Sequence, residues 1–530
     1  MRKLVSIILV CAGAWLPAAW IFLQRDEWIR STFAPRRYDP FFSLALDALP
    51  TGLLFAGMAV LLWMLVARIP RVPPSRPRGR VLLAIVIVAA AAWSLRSEGT
   101  RSHSWPMIMS DDFPSYYFAA VAVRRGLNPY DGEVIHDLAR KQLTSEITQV
   151  HQRVKLPPPQ RSLSRVVFPY LYPPLCAVLL MPLSALDYMQ AQQIWAVLNL
   201  AAFALLLLLV WKAIADKKWA LAAVLGLVVL YQPLVNNAET GQINLMVALA
   251  AWAAFHFDRK GRFLVAGVCL AVAIMLKFSP LLLLAYFASR RRWPTVSTAV
   301  ITSMLILACT WVVVGTESMN YYRREVIKNY SFVTKFALPP ELRPEALVLP
   351  NNVDSVKAFY DYPGVRVYNQ APTALAGMVA VARGWSGATA VRIVQILLGA
   401  MWLLTLWRSM KARRPEQWRL FAACTVLVLL TSPILWQHHL VWLFFPLLIL
   451  VVDFPARRKV TISSIAAFSL ALSALLLTAD DFDYSPLGLS GKLTDVAAVL
   501  PYSYAQLAGT FLLWLALILP GRSLEISSSR

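Results

Sequence analysis

Charge is what this sequence has least of for its length. Of its 530 residues, 15% are Asp, Glu, Lys or Arg and 58% are hydrophobic, with a mean hydropathy of +0.57. Soluble domains carry roughly 25% charged and roughly 45–50% apolar residues, so composition excludes an ordinary soluble chain and implies a membrane protein. Acid is the scarcer sign, 28 residues against 51 basic ones, for a net charge of +23. That excess does not imply a nucleic-acid partner, because the cations sit in short clusters between long apolar runs, where they set membrane orientation. Cysteine is scarce too. Cys11, Cys176, Cys269, Cys309 and Cys424 all lie inside apolar stretches, none at a metal-ligand spacing, and they read as small buried hydrophobes. The sequence also lacks a P-loop, a GxGxxG, an HExxH and a GxSxG, so nucleotide-driven and common hydrolytic chemistries have no signature in it.

What the sequence has in quantity is apolar runs of spanning length, near 4–23, 47–67, 80–96, 192–211, 219–235, 243–257, 296–314, 388–407, 418–433, 440–452, 460–478 and 499–519. The first follows a basic start and is about 20 residues long, enough at ~1.5 Å per residue to cross a roughly 30 Å hydrocarbon core. It has no clear small-x-small cleavage site and reads as an uncleaved span. Lys and Arg concentrate in short cytoplasmic loops, which orients the rest. Arg68 to Arg80, Lys212 to Lys218, Arg259 to Arg262, Arg290 to Arg292, Lys411 to Arg419 and Arg457 to Lys459 mark one side. The opposite side receives acidic or neutral connections, such as Asn236 to Gln242 and Asp480 to Asp495, and both termini are then cytoplasmic. The 24–43 loop dissents, with four Arg against three acids on the outer side.

Two runs do not fit a single crossing. The run from Arg262 to Arg290 has basic marks at both ends, which predicts a hairpin of two short helices broken at Lys277-Phe278-Ser279-Pro280. The run from Tyr172-Pro173-Pro174 to about Leu186 has no basic cytoplasmic flank and is expected to re-enter without crossing. Irregular backbone at membrane depth is tolerated only inside protein or beside a water-filled cavity, so both breaks point to a cavity. Two long extracytoplasmic loops remain, about 97–168 and 315–387, each expected to carry short helices on the membrane face, such as Tyr116 to Arg125. The chain is expected to be all-α and polytopic, with about 12 full spans. It divides into an extra N-terminal pair of helices (1–79), a central membrane region (80–455) and C-terminal helices with a short cytoplasmic tail (456–530).

The polar residues that stand out all fall on the outer side. Asp111 and Asp112 precede a short helix; a carboxylate there suits a general base, and equally a cap favoured by the helix N-terminus. Lys277 sits in an apolar hairpin, where a charge costs about 2.5–3.5 kcal/mol; it suits an anionic phosphate, and equally a lysine snorkelling to the interface. His438 and His439 join two runs, and adjacent helical side chains diverge by about 100°, so joint ligation of one metal is disfavoured. Asn237, Glu239, Gln242 and Asn244 lie in a polar turn, and Asn369 and Gln370 in the second long loop. Amides there suit sugar hydroxyls or simply a turn.

In this order the motifs resemble glycosyltransferase family 87, a polyprenol-phosphate-mannose-dependent, mannosyltransferase-like group of the GT-C superfamily. The residues that carry the likeness are Asp112-Phe113 with Tyr117, Asn128-Pro129-Tyr130, Tyr172-Pro173-Pro174 with Pro182-Leu183, and Gly241-Gln242-Ile243-Asn244. Gly267 with Leu276-Lys277 and Pro280, Asn369-Gln370, and Ser432-Pro433 through His438-His439 complete it, over about residues 80–455. The resemblance implies a GT-C-like helical membrane fold and transfer of mannose from a polyprenyl-phosphate donor, with inversion, to a glycolipid or cell-envelope glycan. It also implies an aspartate base in the first outer loop, matched to Asp112 with Asp111 beside it. Lys277, His438 and His439 are then expected at the donor phosphate, and Tyr117, Tyr172, Asn237, Glu239, Gln242, Asn244, Asn369 and Gln370 around sugar or acceptor. No cofactor is expected, and a divalent cation is left open. Two features depart from the pattern: two spans precede the place where such enzymes begin, and the doubled Asp leaves the base's register open. The alternatives are a lipid-linked-sugar flippase, a related arabinofuranosyltransferase or glycan ligase, and a membrane protein without catalysis. Against transport stand the lack of an inverted repeat and the one-sided placement of the polar residues.

Overall fold

The computed structural model describes residues 112–153, 167, 170–214, 224, 227, 231–327, 371–382, 384–453 and 507–519. The runs expected at 4–23, 47–67, 80–96 and 460–478, the N-terminal pair 1–79, most of 456–530 and of the two long loops, and Asp111, Asn369 and Gln370 lie outside the described residues. Among the described residues the architecture is all-helical, without a strand. In chain order the helices are α1 (Phe113–Arg124), α2 (Gly132–Arg153), α3 (Pro174–Leu180), α4 (Tyr188–Ile214), α5 (Gln232–Glu239), α6 (Asn244–Arg259) and α7 (Phe263–Leu276). There follow α8 (Leu283–Ser289), α9 (Trp293–Tyr321), α10 (Pro372–Ala382), α11 (Gly387–Lys411), α12 (Gln417–Leu430), α13 (Phe444–Asp453) and α14 (Leu507–Ile518).

Three described helices are long and apolar enough to cross a membrane, over Tyr188–Trp211, Trp293–Ile327 and Gly387–Lys411. The exposed tryptophans on two of them mark a thickness. Trp293 and Trp311 on α9 are 18 residues apart, or about 27 Å at the helical rise, close to a hydrocarbon core. Trp385 and Trp407 flank α11 in the same way, as interfacial aromatics do.

The described basic loops, at 259–262, 290–292 and 411–419, converge at one end of this bundle. Arg292 Nε lies 3.3 Å from the buried Asp258 carboxylate, which also accepts from Thr295 Oγ1 at 2.8 Å. Arg290 donates to the carbonyls of Ser409 and Ala412 at 2.6 and 3.1 Å, and the Arg259 guanidinium sits 5.1 Å from the centre of the Trp418 ring. Arg419 donates to the carbonyls of Ala516 and Leu519, and Arg408 to that of Ile518, so two cations cap the C-terminal end of α14. Clusters that agree in sequence as orientation marks are therefore neighbours in space.

The run 262–290 doubles back on itself. α7 has only 14 residues, about 21 Å, too short for the core. It stops at Lys277, whose backbone is extended (φ −156°, ψ 128°). A 3-10 turn, Ser279–Leu282, with Pro280 in its first turn leads into α8, which returns to the basic end. α7 packs on α9 without clearance: a Cβ at Gly267 would stand 2.5 Å from Thr298 Cβ, so only glycine fits. The run 174–186 forms the 7-residue α3 and a 3-10 turn, Leu183–Ala185, too short to cross, in line with re-entry.

One expectation is corrected. The helix expected to lie on the membrane face, α1, is instead enclosed by protein, with every residue from Phe113 to Val123 buried. Its sequence, FPSYYFAAVAV, has no charged face to offer water or headgroups. It packs against α2, α3 and the Leu183–Ala185 turn, with the rings of Tyr188 and Trp195 beside Phe113.

Candidate active site

The end of the bundle away from the basic loops gathers five pieces of irregular backbone. They are the start of α1, the loop 170–173, the turn 240–243 between α5 and α6, the apex 277–280, and the 3-10 turn Gln437–Leu443. Local sequence makes the first four of them irregular. Pro114 and Pro174 start short helices, Gly241 turns at φ +63°, and Pro280 opens the apex. The pieces are tied directly. The Phe113 amide donates to the Thr240 carbonyl at 3.3 Å, Trp195 Nε1 to the Gly241 carbonyl at 2.6 Å, and Tyr231 Oη to the Leu440 carbonyl at 2.6 Å.

Asp112 stands immediately before α1, with its backbone carbonyl accepting the first helical bond from Tyr116. Its side chain is 9% exposed and makes no capping bond to the helix it precedes. Of the two roles legible in sequence, capping is therefore not the one this carboxylate performs. It interacts electrostatically with Lys277. The Lys277 ammonium donates to Asn244 Oδ1 at 2.8 Å and lies 5.6 Å from the centre of the Tyr172 ring.

Gln242 is the hub between them. Its Oε1 accepts from Tyr116 Oη at 2.9 Å and Tyr172 Oη at 2.8 Å, its Nε2 lies 3.1 Å from His438 Nε2, and the residue has no exposed surface. Asn244 Nδ2 donates to the His438 carbonyl at 3.2 Å. His439 Nδ1 accepts from the Trp436 amide at 3.1 Å, and the two imidazoles stand perpendicular with centroids 4.5 Å apart. Burial, with Tyr172 and Asp112 nearby, pushes the Tyr116 phenol well above its ordinary range, so it remains a neutral donor.

The structure thus joins Asp112, Tyr172, Gln242, Asn244, Lys277, His438 and His439 in one connected cluster, through contacts spanning up to 196 positions of sequence. Asn237 borders it, with its Nδ2 3.5 Å from the Gln242 carbonyl; its Oδ1 is buried with no hydrogen-bond partner among the described residues. Tyr117 is directed elsewhere, its hydroxyl donating to the Leu186 carbonyl at 2.7 Å and accepting from Gln142 at 2.6 Å. Glu239 ends α5, and its side chain lies outside the described residues. Sequence reasoning did not single out Tyr116 or Trp195. Tyr116 had a signal, since it follows Asp112 by four positions and so shares its helical face. Among the described residues no three His, Cys, Asp or Glu side chains gather as a metal site.

Known proteins are similar to this chain in sequence. A mannosyltransferase of Mycolicibacterium smegmatis, named polyprenol-phosphate-mannose-dependent alpha-(1-2)-phosphatidylinositol mannoside mannosyltransferase, is 28% identical over 66% of this chain and 74% of its own length. A Mycobacterium tuberculosis relative, named for the corresponding pentamannoside, is 24% identical over 55% of this chain. The chain spans 60% of that relative's length. No solved structure matches it. The model of glycosyltransferase family 87 matches residues 170–433, a stretch that begins at the loop bearing Tyr172 and includes Gln242, Asn244 and Lys277. The chain belongs to glycosyltransferase family 87.

Proposed function

We propose that this protein transfers mannose from a polyprenyl-phosphate donor to a lipid-linked or cell-envelope glycan acceptor at the outer face of the membrane, with inversion. The observation that carries the reading is the meeting, at one end of the bundle, of a buried carboxylate that does not cap the helix it precedes and a cation at the apex of a broken hairpin. The names of the two relatives support polyprenol-phosphate mannose as donor and make a phosphatidylinositol mannoside the first acceptor to test. The outer placement rests on the basic loops, which gather at the opposite end.

In the proposed reaction the Asp112 carboxylate takes the proton of an acceptor hydroxyl. The acceptor oxygen bonds to the anomeric carbon as the bond from that carbon to the phosphate oxygen breaks, and the electron pair leaves with the polyprenyl phosphate. Lys277 stabilises the charge that develops on the phosphate, with the imidazoles as further donors. Asn237, whose carbonyl oxygen is buried without a partner among the described residues, is assigned in this scheme to a sugar hydroxyl. Asp111 is kept as the second candidate base, and Glu239, Asn369 and Gln370 as candidate sugar or acceptor contacts. With a lysine at the phosphate, the scheme assigns no role to a metal ion.

Purified protein given polyprenyl-phosphate mannose and a phosphatidylinositol mannoside is expected to form a new mannoside. Asp112→Asn should slow this by about 10²- to 10⁴-fold, the usual worth of a positioned base. Transfer unaffected by this change would remove Asp112 from the scheme. Movement of the lipid-linked sugar across vesicles without any transfer would favour a flippase instead.

A further inference from the structure

We infer that Gln242 is a positioning residue that holds His438 as the neutral tautomer protonated on Nδ1, while the backbone holds His439 as the opposite tautomer, protonated on Nε2. The Lys277 ammonium only donates. At 2.8 Å from Asn244 Oδ1, it fixes which end of that amide is oxygen. Asn244 Nδ2 then donates to the His438 carbonyl and faces Gln242 Oε1 at 3.5 Å. The same Oε1 takes the phenol protons of Tyr116 and Tyr172. The Asn244 NH₂ group can only donate, so the Gln242 atom it faces is the acceptor oxygen, to which both phenols also donate, and the other end of Gln242 is the NH₂ group, a donor only.

That nitrogen lies 3.1 Å from His438 Nε2. A donor facing a ring nitrogen needs a lone pair there, so the His438 proton sits on Nδ1. His439 is the reverse case, because its Nδ1 faces the Trp436 amide proton at 3.1 Å and its own proton must sit on Nε2. The pair therefore presents two neutral N–H groups from perpendicular rings, and Lys277 carries the positive charge of this cluster. Gln242, buried with both ends of its amide engaged, is assigned to the histidines rather than to the sugar.

For the ligand this inference rests on the function proposed above. Under that reading the His438 N–H holds a phosphate oxygen without surrendering its proton, which suits a leaving group that departs as an anion, while the His439 ring is also held by the Ile434 backbone. A ring protonated on both nitrogens would set an N–H against the Gln242 amide.

The decisive measurement needs no substrate, so it stands or falls apart from the proposed reaction. The full chain carrying ¹⁵N-imidazole histidine is examined by NMR at neutral pH, with the two signals assigned from single replacements. Opposite neutral tautomers are expected, and two Nε2-protonated rings or an imidazolium at His438 would overturn the inference. Gln242→Glu sets an acceptor against His438 Nε2. It should move the proton to that atom and lower transfer about tenfold or more, the effect of one misplaced donor bond. An unchanged His438 spectrum in Gln242→Glu would also overturn the inference. If the buried carboxylate prevents folding, crossed replacements decide, since Asn mimics an N–H at Nδ1 and Gln one at Nε2. His438→Asn should retain more transfer than His438→Gln, and His439→Gln more than His439→Asn. The reverse order in either pair refutes the assignment.

Discussion

Lys277 separates a functional residue from a structural one by the sign of a stability change. Consider Lys277→Met, which keeps most of the side chain's length and removes its charge. On the stability side, the change orphans Asn244 Oδ1, which accepts from the ammonium at 2.8 Å; that costs about 1–3 kcal/mol. It also removes a cation from an apolar hairpin, which returns about 2.5–3.5 kcal/mol on insertion scales. The two nearly cancel, so the melting temperature in detergent should stay level or rise slightly. On the activity side, the variant loses the cation assigned to the departing phosphate. Removal of one such preorganised group costs about 10²–10³ in kcat, or about 2.7–4 kcal/mol. A lysine kept for structure gives the opposite pattern, a clear loss of stability with activity falling only in proportion to the folded fraction. The assay is radiolabelled mannose transfer into glycolipid, run beside a thermal melt. Transfer within about threefold of the unsubstituted protein would refute the phosphate role, since that ratio is well under 1 kcal/mol.

Tyr172→Phe removes one of two phenol donors from Gln242 and should lower transfer several-fold, whereas Tyr117→Phe removes bonds to Leu186 and Gln142, outside that cluster, and should cost about 0.5–1.5 kcal/mol of stability with kcat unchanged. A larger kcat loss in Tyr117→Phe, measured by the same transfer assay, would reverse their assignment. Gly267→Val forces side-chain atoms onto Thr298, where a Cβ alone would already sit 2.5 Å from Thr298 Cβ; a loss of about 1–3 kcal/mol is expected, read as a lower melting temperature. Addition of a strong chelator should leave transfer unchanged, because the charge at the phosphate is assigned to Lys277; abolition of transfer that Mg²⁺ restores would bring a metal into the mechanism.

How much of this was legible in the sequence depended on which solvent each residue meets. The basic loops were readable because water and lipid differ sharply for Arg259, Arg290 and Arg292, and the structure gathers those residues at one end. The hairpin break at Lys277 was readable for the same reason, since a charge and a proline interrupt an otherwise apolar run. The surroundings of α1 were not, because a helix of Tyr, Phe, Ala and Val is equally content against lipid and against protein. In a bilayer, lipid tails are as apolar as leucine, so composition does not reveal which neighbour a helix has. Tyr117 entered through the family resemblance, although of the two tyrosines Tyr116 is the one that shares the helical face of Asp112 and reaches Gln242.

The amide cluster follows the same physics one level down. Gln242, Asn244 and His438 each looked like a turn residue or a sugar contact in sequence, because short polar segments carry no periodicity to assign a face. What decides their roles is that each donor or acceptor, once buried, must find a complement. In the structure those complements form one directed line, from the Lys277 ammonium through Asn244 and Gln242 to His438. The line has a direction because lysine can only donate, and that single constraint orients every amide after it. Arginine at position 277 would keep that constraint while replacing a compact charge with a wide planar fork. Lys277→Arg should therefore preserve the His438 tautomer while lowering transfer, a separation of orientation from charge placement that a purely structural lysine would not produce.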